Sequence, residues 1–424
     1  MNRRPLYTIT LISAVFISGC SISSDKNWTH FRGSNLDGIS STSKIPVTIT
    51  ESDIKWKTEI HDKGWSSPVI SGNQIWVTTS TTDGRNLFAV CVDYKTGKVI
   101  YDINVITTDS VYKKHEVNSF ATPTPCIGDG FIYLHYGSLG TACINTQDGA
   151  IVWKNTDLKC DYMMGPASSP VIYKNLLILH FEGIDQTFLA ALDRSTGKLV
   201  WRSDRPKEIY DPQPAIGRKS YTTPIIINSG GRDLLISSGS FVCIAYDPLT
   251  GAEVWRVVRG GESAVAMPFT ENGIVFWYTG FMYGENDSRF CEILAVNPEG
   301  QGDITATNIK WRKKADYLQL LSPVVKNGLI YTVDAKNNMM CIDASTGEEL
   351  WQKHMNASYN ASPLYIDGNI WFFSVKGDIL VIREGRQFEQ LGSYKMDYGI
   401  QATPAAIRNS LIIRTEKYLC RIGS

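Results

Sequence analysis

The feature that most constrains this chain is an eleven-residue pattern that recurs along it: a small residue, then Asp or Asn, a Gly-containing turn, and a closing aromatic. It reads CVDYKTGKVIY from Cys91 to Tyr101, CINTQDGAIVW from Cys143 to Trp153, ALDRSTGKLVW from Ala191 to Trp201, AYDPLTGAEVW from Ala245 to Trp255, and CIDASTGEELW from Cys341 to Trp351. A sixth copy, from Ala295 to Trp311, has extra residues in its turn, and Trp56 and Tyr394 close strand-like runs holding part of the pattern. A proline precedes each repeat, usually after Ser or Thr: Pro68, Pro125, Pro170, Pro224, Pro268, Pro323, Pro363 and Pro404. Their separations of 40 to 57 residues mark stacked supersecondary units with loops of variable length.

One unit reads as four short strands, Trp65 to Ile70, Gln74 to Thr79, Leu87 to Asp93 and Lys98 to Val105, each bounded by turn residues. In the last hairpin the Asp93 carboxylate caps the turn and Gly97 takes positive φ. The aromatic falls on the outermost strand and the small residue further in, so large side chains stand where wedge-shaped sheets splay apart and small ones where they crowd. Trp56, Trp153, Trp201, Trp255, Trp311 and Trp351 are therefore read as structural docking residues. The last unit is one strand short, and the missing strand stands at the other end as Ile54 to Ile60. Pairing the two leaves no open edge. The expectation is an all-β, eight-bladed β-propeller of four-stranded antiparallel blades over residues 51–424, closed by its N- and C-terminal strands.

The 42 basic and 42 acidic residues balance without a long run of either sign, so the chain lacks the basic footprint of a nucleic-acid partner. Residues 1–19 read as an export signal, with Arg3 and Arg4 before an apolar stretch too short to span a bilayer. Its ending, Ile17-Ser18-Gly19-Cys20, resembles a bacterial lipobox, which implies lipid attachment at Cys20 and a cell-envelope location, anchored to the outer membrane or facing the periplasm. Residues 20–50 form a linker and arm.

Cys91, Cys143 and Cys341 occupy the repeat position that Ala191, Ala245 and Ala295 fill elsewhere, so they are expected as buried free thiols. Packed sheets stand about 10 Å apart, too far for a disulfide between equivalent sites. The histidines, His30, His61, His115, His135, His180 and His354, are scattered without metal-ligand spacing. Gly284 to Ser288 has oxygen ligands but not the spaced Asp positions of a calcium loop, and reads as a solvated turn.

These repeats resemble the tryptophan-docking motif of β-propellers built from pyrroloquinoline-quinone (PQQ)-type repeats. Trp28-Thr-His-Phe31-Arg32-Gly33 with Gly38 is similar to the arm that precedes many bacterial propellers of this kind, and is expected to pack on the propeller without chemistry. The resemblance implies two functions. Quinoprotein dehydrogenases of this family hold PQQ on the propeller axis with calcium, a catalytic aspartate and usually a disulfide of adjacent cysteines, a pair this chain lacks. Propeller lipoproteins of the family include a non-catalytic scaffold of the outer-membrane β-barrel assembly machinery. The expectation is a protein-interaction scaffold with an envelope protein partner, no catalytic residue, no cofactor and no metal. A quinoprotein dehydrogenase carrying PQQ and Ca, or a periplasmic module binding carbohydrate or another small ligand, are the alternatives.

Three consecutive connections, after Tyr101, Trp153 and Trp201, are lengthened, and in a propeller all such connections emerge on one face. They carry Tyr112, Lys113, His115 and Phe120, then Tyr162 and Met163, then Arg205, Tyr210, Arg218 and Tyr221. Aromatic, Met and Arg side chains on long loops suit a recognition surface, so these ten are the candidate interaction face.

Overall fold

The computed structural model describes residues 27–40, 44–285, 288–315 and 320–423. Eight antiparallel sheets follow one another along the chain and close as an eight-bladed propeller. Blade 1 consists of Val69–Ser71, Gln74–Ser80, Asn86–Asp93 and Val99–Thr107, from axis to rim. Blade 8 takes three strands from the C-terminal end and its outermost, Ile54–Glu59, from the N-terminal end, with Trp56 opposite Arg421.

The innermost strands are shorter than their sequence suggests. In blade 1 the run from Trp65 does not enter the ladder until Val69. The segment before the proline hydrogen-bonds sideways to the next blade instead: the Ser67 N–H donates to Thr124 Oγ1 (2.9 Å), Thr124 N–H to Ser169 Oγ (3.0 Å) and Ser169 N–H to Thr223 Oγ1 (2.9 Å). Across the axis the same step links Met267 N–H to Ser322 Oγ (3.1 Å), Ser322 N–H to Ser362 Oγ (3.0 Å) and Ser362 N–H to Thr403 Oγ1 (2.9 Å). This explains the Ser/Thr-Pro signature: a hydroxyl satisfies the neighbour's orphan amide, and proline offers no competing donor.

The repeated motif resolves into one contact used around the ring. The small residue lies directly across the ladder from the aromatic, as in Cys91 opposite Tyr101, Ala191 opposite Trp201 and Cys341 opposite Trp351. The aromatic then covers the Gly turn of the following blade. The indole N–H of Trp56 donates to Tyr94 O, Trp153 to Arg194 O, Trp201 to Pro248 O and Trp311 to Ala344 O, at 2.8 to 3.3 Å. A methyl added at Gly97, Gly197, Gly251 or Gly347 would meet that ring within 2.8 Å, and each glycine has φ near +70°. Trp255 is the exception, fully buried with its N–H unpartnered. The turn it should meet is the lengthened one of blade 5, whose Gly302–Asp303 pairs in parallel with the Trp255 strand instead.

The arm does more than pack on the outside. Trp28 exchanges backbone hydrogen bonds with Ile70 of blade 1, Thr29 O accepts from Ile127 of blade 2, and Ile39–Ser40 adds in parallel to Leu364–Ile366 of blade 7. The fully buried Arg32 donates to Pro323 O of blade 6 at 2.6 Å. Residues 27–40 thus cross the axis and close it at one end. All eight described cysteines are free and buried, Cys91, Cys143 and Cys341 among them. Cys20 and residues 1–26 lie outside the described residues, as do Asn286 and Asp287 of the candidate turn.

Candidate functional site

The long connections do lie on one face, yet five of the ten candidate contact residues point inward. Phe120, Tyr162, Arg205, Tyr210 and Tyr221 are buried. Each is an anchor: the Tyr221 hydroxyl donates to Tyr162 O (3.0 Å), and the Tyr162 hydroxyl to His180 O (3.2 Å). Arg205 and Tyr210 reach a fully buried carboxylate, Glu182, which also faces His180 Nε2 at 2.6 Å. Burial works against the Glu182 charge, but Arg205 and His180 outweigh it and hold the carboxyl below its usual range. The physical reason for the correction is entropic: ordering each loop residue costs about 1–2 kcal/mol, so a long ordered connection must bury its largest side chains. Tyr112, Met163 and Arg218 are half-buried, Arg218 donating to Gln213 O and Asp211 O, while Lys113 and His115 are exposed.

Besides Lys113 and His115, the large apolar side chains that face solvent here are mostly aliphatic, a type that a search for aromatic and basic residues passes over. Val117 is 65 % exposed, Tyr283 52 %, Ile216 50 % and Leu320 46 %. They come from the connections after blades 1, 3 and 5 and from a hairpin of blade 5, and rise on the long-loop face. Isolated apolar residues in a loop carry no sequence signal, because exposure is set by how the loop is anchored.

At the centre of this face opens a pocket of about 460 Å³, lined by the pre-proline residues of all eight blades and by loop residues including Trp65, Met164, Lys219 and Phe281. Phe31 of the arm is also in its lining, from the closed end of the axis. No described residue lining it is Asp or Glu. Lys219 supplies a cationic group, its ammonium donating to the Ile216 carbonyl, and the His115 imidazole also lines the pocket. Among the described residues no cluster of three or more metal-ligating side chains exists, and no helix is long and apolar enough to cross a membrane.

Similarity to known proteins follows the repeats. The sequence profile of the family described as outer membrane protein assembly factor BamB matches residues 52–208, 185–314 and 295–388. BamB of Moranella endobia is 23% identical over 260 residues, 61% of this chain and 61% of that protein. Tetrathionate hydrolase of Acidithiobacillus ferrooxidans is 21% identical over 260 residues, 55% of this chain and 48% of that protein. The chain thus spans about half to three fifths of the curated relatives it matches. Among solved structures, BamB from Moraxella catarrhalis superposes with a TM-score of 0.59 at 12% identity, covering 88% of this chain and 100% of that one. A europium-containing methanol dehydrogenase gives 0.64 at 10% identity, covering 94% and 89%. At such identities these likenesses speak to the fold alone. Because the profile match runs through most of the blades, the chain belongs to the family of the outer membrane protein assembly factor BamB, the PQQ-like repeat β-propellers.

Proposed function

We propose that this chain is a non-catalytic scaffold of the cell envelope, tethered by a lipid at Cys20, whose long-loop face docks another envelope protein. The observation that carries the reading is the set of exposed Val117, Ile216, Tyr283 and Leu320 on a face whose long loops are anchored by the buried Phe120, Tyr162, Arg205, Tyr210 and Tyr221. Loops held in place by buried anchors lose little further entropy on binding, and exposed apolar groups on them supply the contact. Family membership points the same way.

A dehydrogenase reading, suggested by the methanol dehydrogenase likeness, finds less support. Calcium takes several oxygen ligands, usually carboxylates among them, and the axial pocket offers none from its described lining residues. The chain also has no adjacent cysteines. The residues present do not fit a calcium-held quinone.

Photo-crosslinking side chains placed at Val117 and Ile216 test the scaffold reading against one at Val200, exposed on the outermost strand of blade 3. Adducts from the first two and none from the third are expected in cells. Adducts only from Val200 would move the docking surface to the rim. Quinone-dependent dye reduction by the pure protein would replace the scaffold with an enzyme.

A further inference from the structure

The axial pocket has a chemistry that the scaffold reading does not use. Each hydroxyl of Thr124, Ser169, Thr223, Ser322, Ser362 and Thr403 accepts an amide N–H from the preceding blade, and none donates its own proton to another described residue. Ser67, at the same position of blade 1, has a hydroxyl that makes no hydrogen bond to a described residue. A hydroxyl whose lone pair is engaged by an N–H is left with a proton to give. The pocket is therefore rimmed by hydroxyl protons free to be donated, with no carboxylate among its described lining residues.

Its charge has the same sign. Lys219 is buried, and its ammonium meets a carbonyl rather than a carboxylate. Glu262, the acid whose charge acts on Lys219, is not in the lining and accepts from the Tyr283 hydroxyl. A buried ammonium that meets a carbonyl rather than a carboxylate is costly unless an anion arrives. The walls above the crown, Trp65, Met164, Val265 and Phe281, are apolar or aromatic.

We propose that the axial pocket binds a small organic carboxylate with an apolar or aromatic body, the carboxylate seated on the hydroxyl crown and the body between the walls. Concavity, mostly apolar walls and a few convergent polar groups are the general marks of a ligand site. The proposal stands apart from docking of a protein on the surrounding loops, since the purified chain alone should bind.

Titration calorimetry of the full chain with phenylacetate, phenylacetamide and phenethylamine tests it. Phenylacetate should bind, the amide about tenfold more weakly for want of charge-assisted bonds, and the amine not measurably. A chelator should change nothing, because the described lining offers no carboxylate for a metal. Ser67→Ala should weaken phenylacetate binding several-fold at unchanged melting temperature, as the Ser67 hydroxyl takes no part in the links between blades. Lys219→Gln should weaken it further. Equal binding of the amine and the acid, no heat with phenylacetate, or binding that requires added calcium would each overturn the proposal.

Discussion

Adding a single methyl at Gly347 should destabilise the propeller far more than the same methyl at Gly368. Both glycines hold positive φ, +75° and +78°, so alanine at either pays the left-handed strain of about 1–2 kcal/mol. They differ in what the methyl meets. At Gly368 nothing lies within 4 Å, whereas at Gly347 the Trp311 ring stands 2.6 Å away. To relieve that overlap the indole must lift off the turn, losing its 3.0 Å bond to Ala344 O and part of its burial. The bond is worth about 1 kcal/mol, and forced overpacking typically costs about 1–3 kcal/mol. Gly347→Ala should thus cost about 3–6 kcal/mol and Gly368→Ala about 1–2, read as shifts in the midpoint of equilibrium urea unfolding. In a Trp311→Ala background the Gly347→Ala penalty should fall to the value at Gly368, a coupling of about 2–4 kcal/mol. Equal costs at the two glycines, or strict additivity with Trp311→Ala, would refute the docking account of the motif.

The remaining expectations concern the anchors. Arg205→Met should cost about 3–5 kcal/mol, because it leaves the buried Glu182 facing His180 without its arginine; the double variant with Glu182→Gln should recover part of that loss in the same titration. Burial, helped by Arg194, holds the His30 imidazole down to about 4, and its Nε2 takes the Ile172 N–H at 3.3 Å. The neutral ring is favoured in the fold, so its contribution, about 3 kcal/mol by the size of the shift, is present above pH 6.5 and is lost as pH falls through about 4. Stability measured across that window should fall less steeply in His30→Phe, and an unchanged slope would contradict the assignment. Cys20→Ala should move the protein from the membrane to the soluble fraction, and unaltered fractionation would remove the lipid anchor.

Much of the fold was legible because a propeller repeats its reasons. A strand that must carry an aromatic opposite a small residue, before a turn that only Gly enters easily, leaves the same mark in each blade, and the missing outer strand of the last unit announces closure. Loops leave no such mark. Tyr162, Arg205, Tyr210 and Tyr221 look like contact residues in a sequence, since composition cannot tell an exposed anchor from a buried one. Burial is a property of the neighbours each loop finds.

By itself, then, the sequence determined the blade count, the register of the docking tryptophans and the free state of Cys91, Cys143 and Cys341, all consequences of local periodicity and residue size. Only the tertiary structure decided that Trp28 to Ser40 would cross the axis and close one end of it, that Ser and Thr before the prolines would link blade to blade, and that their remaining protons would converge on one pocket without an acid among its described lining residues. Ring closure alone brings residues as far apart as Ser67 and Thr403 into one lining, and no local pattern can record a neighbour that lies most of the chain away.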